Sequence, residues 1–98
     1  MGMIHREGRK RGYILLFALS TCAWCKKTKR LLNDLGVDYY YIDVDLLEGE
    51  EKRRVERELF VWNPKGSYPT IVIDNEHAIL GYSEDEIIEK IGGRERWI

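Results

Sequence analysis

The sequence predicts an α/β fold, a four-stranded mixed sheet with about three flanking helices in the order β-α-β-α-β-β-α. Three observations carry that expectation. Tyr13 to Leu19 is a near-continuous apolar run, which suits a strand covered on both faces. Helical periodicity follows at Ala23 to Leu35 and again at Glu48 to Trp62, with a strand-like stretch between them. The first two strands are therefore joined through a helix and run parallel by a right-handed crossover. Two later apolar runs are separated only by Asp74-Asn75, and so tight a connection makes that pair antiparallel.

Taken in order, Met1 to Gly12 is polar, glycine-containing and basic. It reads as a mobile arm or a short edge segment, so residues 1–12 are set apart as a basic N-terminal arm from a domain over 13–98. In the first helix Cys25, Thr28, Leu32 and Leu35 share one face, with Leu31 beside it, while Lys26, Lys27, Lys29 and Arg30 look outward. Gly36 is its stop signal. Val37 to Val44 alternates, with Tyr40, Ile42 and Val44 on one face and Val37, Tyr39 and Tyr41 on the other. The second helix carries Val55, Leu59 and Trp62 as its buried stripe, after which Pro64 and Gly66 break the chain. Tyr68 to Ile73 is a strand that begins through a proline, and Glu76 to Leu80 is its partner. Ser83-Glu84-Asp85-Glu86 has capping-box spacing and opens a final helix that buries Ile87, Ile88 and Ile91 and ends at Gly92-Gly93.

A chain of 98 residues supports one domain with its own core. Charged residues make up 34% of it, yet the formal net charge is −1, so no broad surface for nucleic acid is expected. No apolar run approaches the ~18 residues of a membrane helix. Arg6, Arg9, Lys10 and Arg11 ahead of the apolar run imitate an export signal, but the run is short and cleavage would remove the first strand. Two cysteines are too few for a secreted disulfide framework, which makes the cytoplasm the expected setting.

The chemistry centres on Cys22-Ala23-Trp24-Cys25, at the junction of the first strand and first helix. Two cysteines at this spacing on such a junction read as a redox pair. Cys22 falls where a helix leaves its first N–H groups unpaired, and their partial positive charge favours a thiolate. Cys25, three residues on, falls on the inward face, so the two sulfurs are unequal. A structural zinc site needs four ligands, and only His5 and His77 add ring nitrogens, without close spacing; no metal is expected. An iron–sulfur cluster shared between two subunits is a more credible metal reading. Trp24 is phased off the buried face and is expected beside Cys22 as a substrate contact. Lys26 and Lys27 are secondary supports for the thiolate, weakened by exposure. His5 and His77 are ordinary surface or edge residues.

With Cys22-Ala23-Trp24-Cys25 after the first strand, Tyr68-Pro69-Thr70 before the third and Gly81-Tyr82-Ser83 before the last helix, the chain resembles the thioredoxin fold. Its modest length and lack of an extra leading βα unit make it most similar to the glutaredoxin family, over roughly Tyr13 to Gly92. The resemblance implies that Cys22 is the nucleophile and Cys25 the resolving thiol that closes an intramolecular disulfide. It implies a cis Pro69 facing the cysteines, Tyr68 offering backbone hydrogen bonds to substrate, and Gly81, Tyr82 and Ser83 receiving the γ-glutamyl end of glutathione. The implied activity is thiol-disulfide exchange on protein or low-molecular-weight disulfides by a monomer. No cofactor stays bound; glutathione, another low-molecular-weight thiol or a reductase supplies electrons. The sequence departs from the family pattern in three places. Leu19 stands where Lys or Arg is common, Ala23-Trp24 replaces Pro-Tyr, and Ser67-Tyr68-Pro69 replaces Thr-Val-Pro. A thioredoxin-like electron donor to a protein such as ribonucleotide reductase, an iron–sulfur cluster carrier and a binding-only protein are the alternatives.

Overall fold

The computed structural model describes residues 2–91. Its elements are β1 (Met3–Arg6), β2 (Ile14–Ala18), α1 (Ala23–Leu35), β3 (Tyr39–Asp43), a 3-10 turn (Val44–Leu46), α2 (Gly49–Trp62), β4 (Thr70–Ile73), β5 (His77–Leu80) and α3 (Glu84–Ile91). The expected helix end at Gly92-Gly93 lies outside the described residues.

The sheet has the order β1-β3-β2-β4-β5, with β2 and β3 parallel and every other pairing antiparallel. It therefore has five strands, not four. The added strand is Met3–Arg6, which pairs along β3 from Met3 opposite Ile42 to Arg6 opposite Tyr39. All four of its side chains are exposed, so it has no inside–outside alternation to reveal it. Its backbone pairing is reinforced by Asp38, a buried carboxylate. Oδ1 of Asp38 accepts the Gly8 N–H at 3.1 Å and lies 2.9 Å from Nε2 of His5. Burial works against the ionised form of Asp38, but His5, the Gly8 N–H and Lys10 outweigh it and hold the carboxyl below its ordinary range. Of the two readings of the N-terminal segment, residues 3–6 are the edge.

β2 is the centre of the domain, and all five of its residues are buried. The pleat sends alternate side chains to opposite layers. Ile14, Leu16 and Ala18 pack with Cys25 and Leu32 of α1 and with Ile87 and Ile91 of α3. Leu15 and Phe17 face the other way, onto Val55 and Leu59 of α2. Each such large side chain, fully buried, contributes roughly 1.5–3 kcal/mol. β3 and the first residue of the turn after it divide as the alternation predicts: Tyr39 and Tyr41 join the first layer, Ile42 and Val44 the second.

Local signals fix the ends. Gly36 closes α1 with φ of 70°, a left-handed conformation that glycine adopts freely. Asp74 and Asn75 both have positive φ, 53° and 57°, and with Glu76 they make a three-residue connection between the paired Ile73 and His77, one residue longer than expected; the Glu76 N–H donates to the Ile73 carbonyl at 3.0 Å.

The register then gathers the loops. Ala18 pairs with Asp43, Phe17 with Thr70, and Thr70 with Leu80. The segments after β2, after β3, before β4 and after β5 consequently emerge at the same end of the sheet.

Candidate active site

At that end Cys22 is the N-cap of α1, with extended backbone (φ −91°, ψ 119°), and its Sγ accepts the Cys25 N–H at 3.1 Å. A sulfur in this position satisfies one of the otherwise unpaired N–H groups of the first turn. Cys22 is half-buried and Cys25 is fully buried. Burial pushes the Cys25 thiol up to about 12, helped by its hydrogen bond with Cys22; the Leu19 backbone and Lys29 pull the other way. Near neutral pH Cys25 therefore keeps its proton, and Cys22 is the sulfur within reach of solvent.

One flank of Cys22 is aromatic. Trp24 is 55% exposed and lies against Tyr82, ring centroids 5.5 Å apart. Nζ of Lys27 stands 5.0 Å from the Trp24 ring and 5.6 Å from Tyr82. These three side chains join the start of α1 to the segment before α3. The charge of Lys27 is spent on ring faces, and Lys26 is exposed.

The other flank is the loop before β4. The Tyr68–Pro69 peptide is cis, Pro69 is buried, and half-buried Tyr68 packs against both layers of the core. Gly81 donates its N–H to the Pro69 carbonyl at 2.8 Å, with φ of 80°. The Ser83 carbonyl accepts the Ile87 N–H at 2.9 Å, which places Ser83 at the start of α3. The residues expected at the site thus meet around one end of the sheet.

Three supporting groups were not singled out by the sequence reasoning. Asp45 grips the turn before Cys22, accepting the Ser20 N–H at 2.8 Å and the Ser20 hydroxyl at 2.6 Å. Those two bonds hold its carboxyl below the ordinary range. Asn63 is buried and ties the loop carrying Tyr68 and Pro69: its Nδ2 lies 3.0 Å from Thr70 Oγ1, 3.0 Å from Ser67 Oγ and 3.3 Å from the Ser67 carbonyl. Lys29, expected to look outward, is only 20% exposed. Its Nζ donates to Asp43 Oδ1 at 2.9 Å and stands 4.1 Å from the Tyr41 ring. Asp43 ends β3, Asp45 lies in the turn after it and Asn63 follows α2; nothing in the neighbouring sequence marks their distant partners.

Residues 14–78 match the family model described as Glutaredoxin, about two thirds of the chain. This chain belongs to the glutaredoxin family. Its fold is the thioredoxin-like glutaredoxin fold. The glutaredoxin of Methanosarcina mazei Go1 superimposes with a TM-score of 0.86 at 48% identity, covering 94% of this chain and 89% of that one. The methanoredoxin of Methanosarcina acetivorans is similar at 50% identity and a TM-score of 0.84, over 87% of this chain and 90% of its own. A glutaredoxin-like 8.6 kDa protein of the rubredoxin operon of Clostridium pasteurianum is 34% identical over 79% of this chain and 99% of its own length. Glutaredoxin-family membership makes this a redox protein, and its Cys22–Cys25 spacing fits the family's paired-cysteine motif. Among the described residues no helix is long and apolar enough to cross a membrane, and no cluster of three or more His, Cys, Asp or Glu could hold a metal ion.

Proposed function

We propose that this glutaredoxin-family protein is a dithiol-disulfide oxidoreductase that reduces protein or low-molecular-weight disulfides through a reversible Cys22–Cys25 disulfide. The observation that carries the reading is the inequality of the two sulfurs. Cys22 is reachable and accepts an N–H from the first turn of α1, whereas Cys25 is buried and protonated.

The Cys22 thiolate attacks one sulfur of a substrate disulfide, so that a Cys22–S–S–substrate bond forms and the first substrate thiolate leaves. Cys25 then gives up its proton and attacks Cys22; the Cys22–Cys25 bond forms, the mixed disulfide breaks, and the second substrate thiol departs. The two protein thiols supply both electrons, and an external thiol or a reductase restores them. Trp24 and Tyr82 line one side of the approach, and the Tyr68 backbone beside Pro69 offers strand-like hydrogen bonds on the other. The Gly81-Tyr82-Ser83 segment, opening α3, suits the carboxylate end of a small thiol such as glutathione. Leu19 supplies no cation to a second carboxylate, so another low-molecular-weight thiol or a reductase competes for the role. We place this chemistry in the cytoplasm, in a monomer, in keeping with a cysteine content too low for a disulfide framework.

The test is a pair of variants. Cys22→Ser abolishes disulfide reduction, and Cys25→Ser accumulates a mixed disulfide on Cys22 that mass spectrometry detects. Reduction by Cys22→Ser at the parent rate would refute the assignment. Turnover of one mixed-disulfide substrate with glutathione, other small thiols and a thioredoxin reductase system identifies the donor. Anaerobic reconstitution followed by visible absorption separates a redoxin from a cluster carrier.

A further inference from the structure

We infer that Lys29, fixed by Asp43 and Tyr41, is a positioning residue for the second half of the exchange, its charge easing deprotonation of Cys25 when that thiol attacks the mixed disulfide. The inference rests on the dithiol reading above and goes beyond it. Cys25 is wholly buried, and the burial that protects it from solvent also opposes the thiolate it must become. Lys29 lies four residues on along α1, one turn away on the adjoining surface. A lysine there would ordinarily extend into water. Here it is drawn under the sheet end by a 2.9 Å contact with Asp43, itself 12% exposed, and by the face of Tyr41 at 4.1 Å.

The charged and titratable groups around Cys25 are few. Cys22 faces it from the helix start, and Tyr68 from the loop before β4. The Tyr68 hydroxyl is pushed up by its own burial and is neutral near pH 7. Asp43, at the end of β3, pairs with Lys29. In the reduced protein Lys29 and the Leu19 backbone both pull the Cys25 thiol down, and Lys29, one helical turn from Cys25 and held by Asp43, keeps that place when Cys22 is in a mixed disulfide. In that step the Cys25 S–H proton is lost and its sulfur attacks Cys22. The Cys22–Cys25 bond forms as the Cys22–substrate bond breaks, and the departing thiolate takes up a proton; no other electron source is needed.

The experiment uses the full chain and a symmetrical nitrothiobenzoate disulfide as probe, with stopped-flow detection of each released thiol. The first equivalent reports attack by Cys22, the second resolution by Cys25. Lys29→Met should slow the second release roughly threefold to tenfold at neutral pH, the attenuated effect of a partly compensated charge about one helical turn away. It should also move the pH profile of that phase upward and leave the first release within about twofold of the parent. Lys29→Arg should restore the parent profile. Asp43→Asn, which keeps an acceptor for Lys29 but removes the opposing charge, should move the profile downward and stands as the test if Lys29→Met does not fold. An unchanged second phase in folded Lys29→Met, an arginine variant as slow as the methionine one, or an upward shift in Asp43→Asn would each overturn the role of Lys29. Absence of any second release in the parent would instead overturn the dithiol reading itself.

Discussion

Removing the Asn63 side chain should loosen the loop that carries Tyr68 and Pro69, and its cost can be worked from the hydrogen bonds. Asn63 is 1% exposed, and its Nδ2 has three acceptors within 3.3 Å for two hydrogens, while its Oδ1 accepts the Lys65 N–H at 3.2 Å. Asn63→Ala deletes two donated bonds and one accepted bond. The backbone bonds of residue 63, to Leu59 and from Gly66, both 2.8 Å, survive the change. Thr70 also keeps its own bond to the Ser67 carbonyl at 3.0 Å. Three bonds at about 1 kcal/mol net each make the loss about 3 kcal/mol. That is a large share of a small domain's stability, and at ~4–8 °C for each kcal/mol it lowers Tm by roughly 10–20 °C. Asn63→Asp, which loses the donors and turns a buried carboxylate toward the Ser67 carbonyl, should cost at least as much as Asn63→Ala. Urea unfolding followed by tryptophan fluorescence measures the stability, and steady-state kinetics on a peptide disulfide measures the loop. On the proposed reading, in which this loop contacts substrate, KM should rise in Asn63→Ala more than kcat falls. A stability change under about 0.5 kcal/mol with unchanged KM would show that Asn63 does not hold this loop.

Other expectations follow from the same geometry. The raised Cys25 thiol favours folding while it is protonated in the native state, a contribution complete below the ordinary 9.0 and lost as pH rises toward about 12. Under reducing conditions the parent should therefore lose stability over that window more steeply than Cys25→Ala, as urea midpoints taken at several pH values will show. Asp45 is the opposite case: the Ser20 bonds lower its carboxyl, so its contribution is present above the ordinary carboxylate range and fades as pH falls. Asp45→Asn should flatten the acid side of the stability profile, and an unchanged acid slope would count against the Ser20 clamp. Gly36→Ala meets no atom within 4 Å but must hold φ of 70°, so it should cost about 1 kcal/mol by conformation alone in urea unfolding. Trp24→Ala, at a position 55% exposed, should change stability by less than about 0.5 kcal/mol while raising KM for disulfide substrates, which separates substrate contact from packing.

Much of the architecture was legible because its signals are short-range. The apolar run of β2, the facing of Cys25, Thr28 and Leu32 and the alternation through β3 each depend on residues a few positions apart, and each has its expected form; the hairpin is where expected, with Glu76 in its turn and not in the strand. The inequality of the sulfurs was legible for the same reason, since a helix start at Cys22 puts a residue three places on at its inner face. The cis geometry of Pro69 came from the family resemblance, not from the local residues.

The chain's own pattern therefore determined the layered α/β frame and the seat of the redox pair. Tertiary structure alone decided that Met3–Arg6 closes the sheet edge, that Asp45 grips Ser20, that Asn63 braces the proline loop, and that Lys29 turns inward to Asp43. Periodicity reports which way a side chain faces relative to its neighbours in sequence. Strand register decides which distant loops share an end of the sheet, and a polar side chain's partner is set there, by residues far away along the chain.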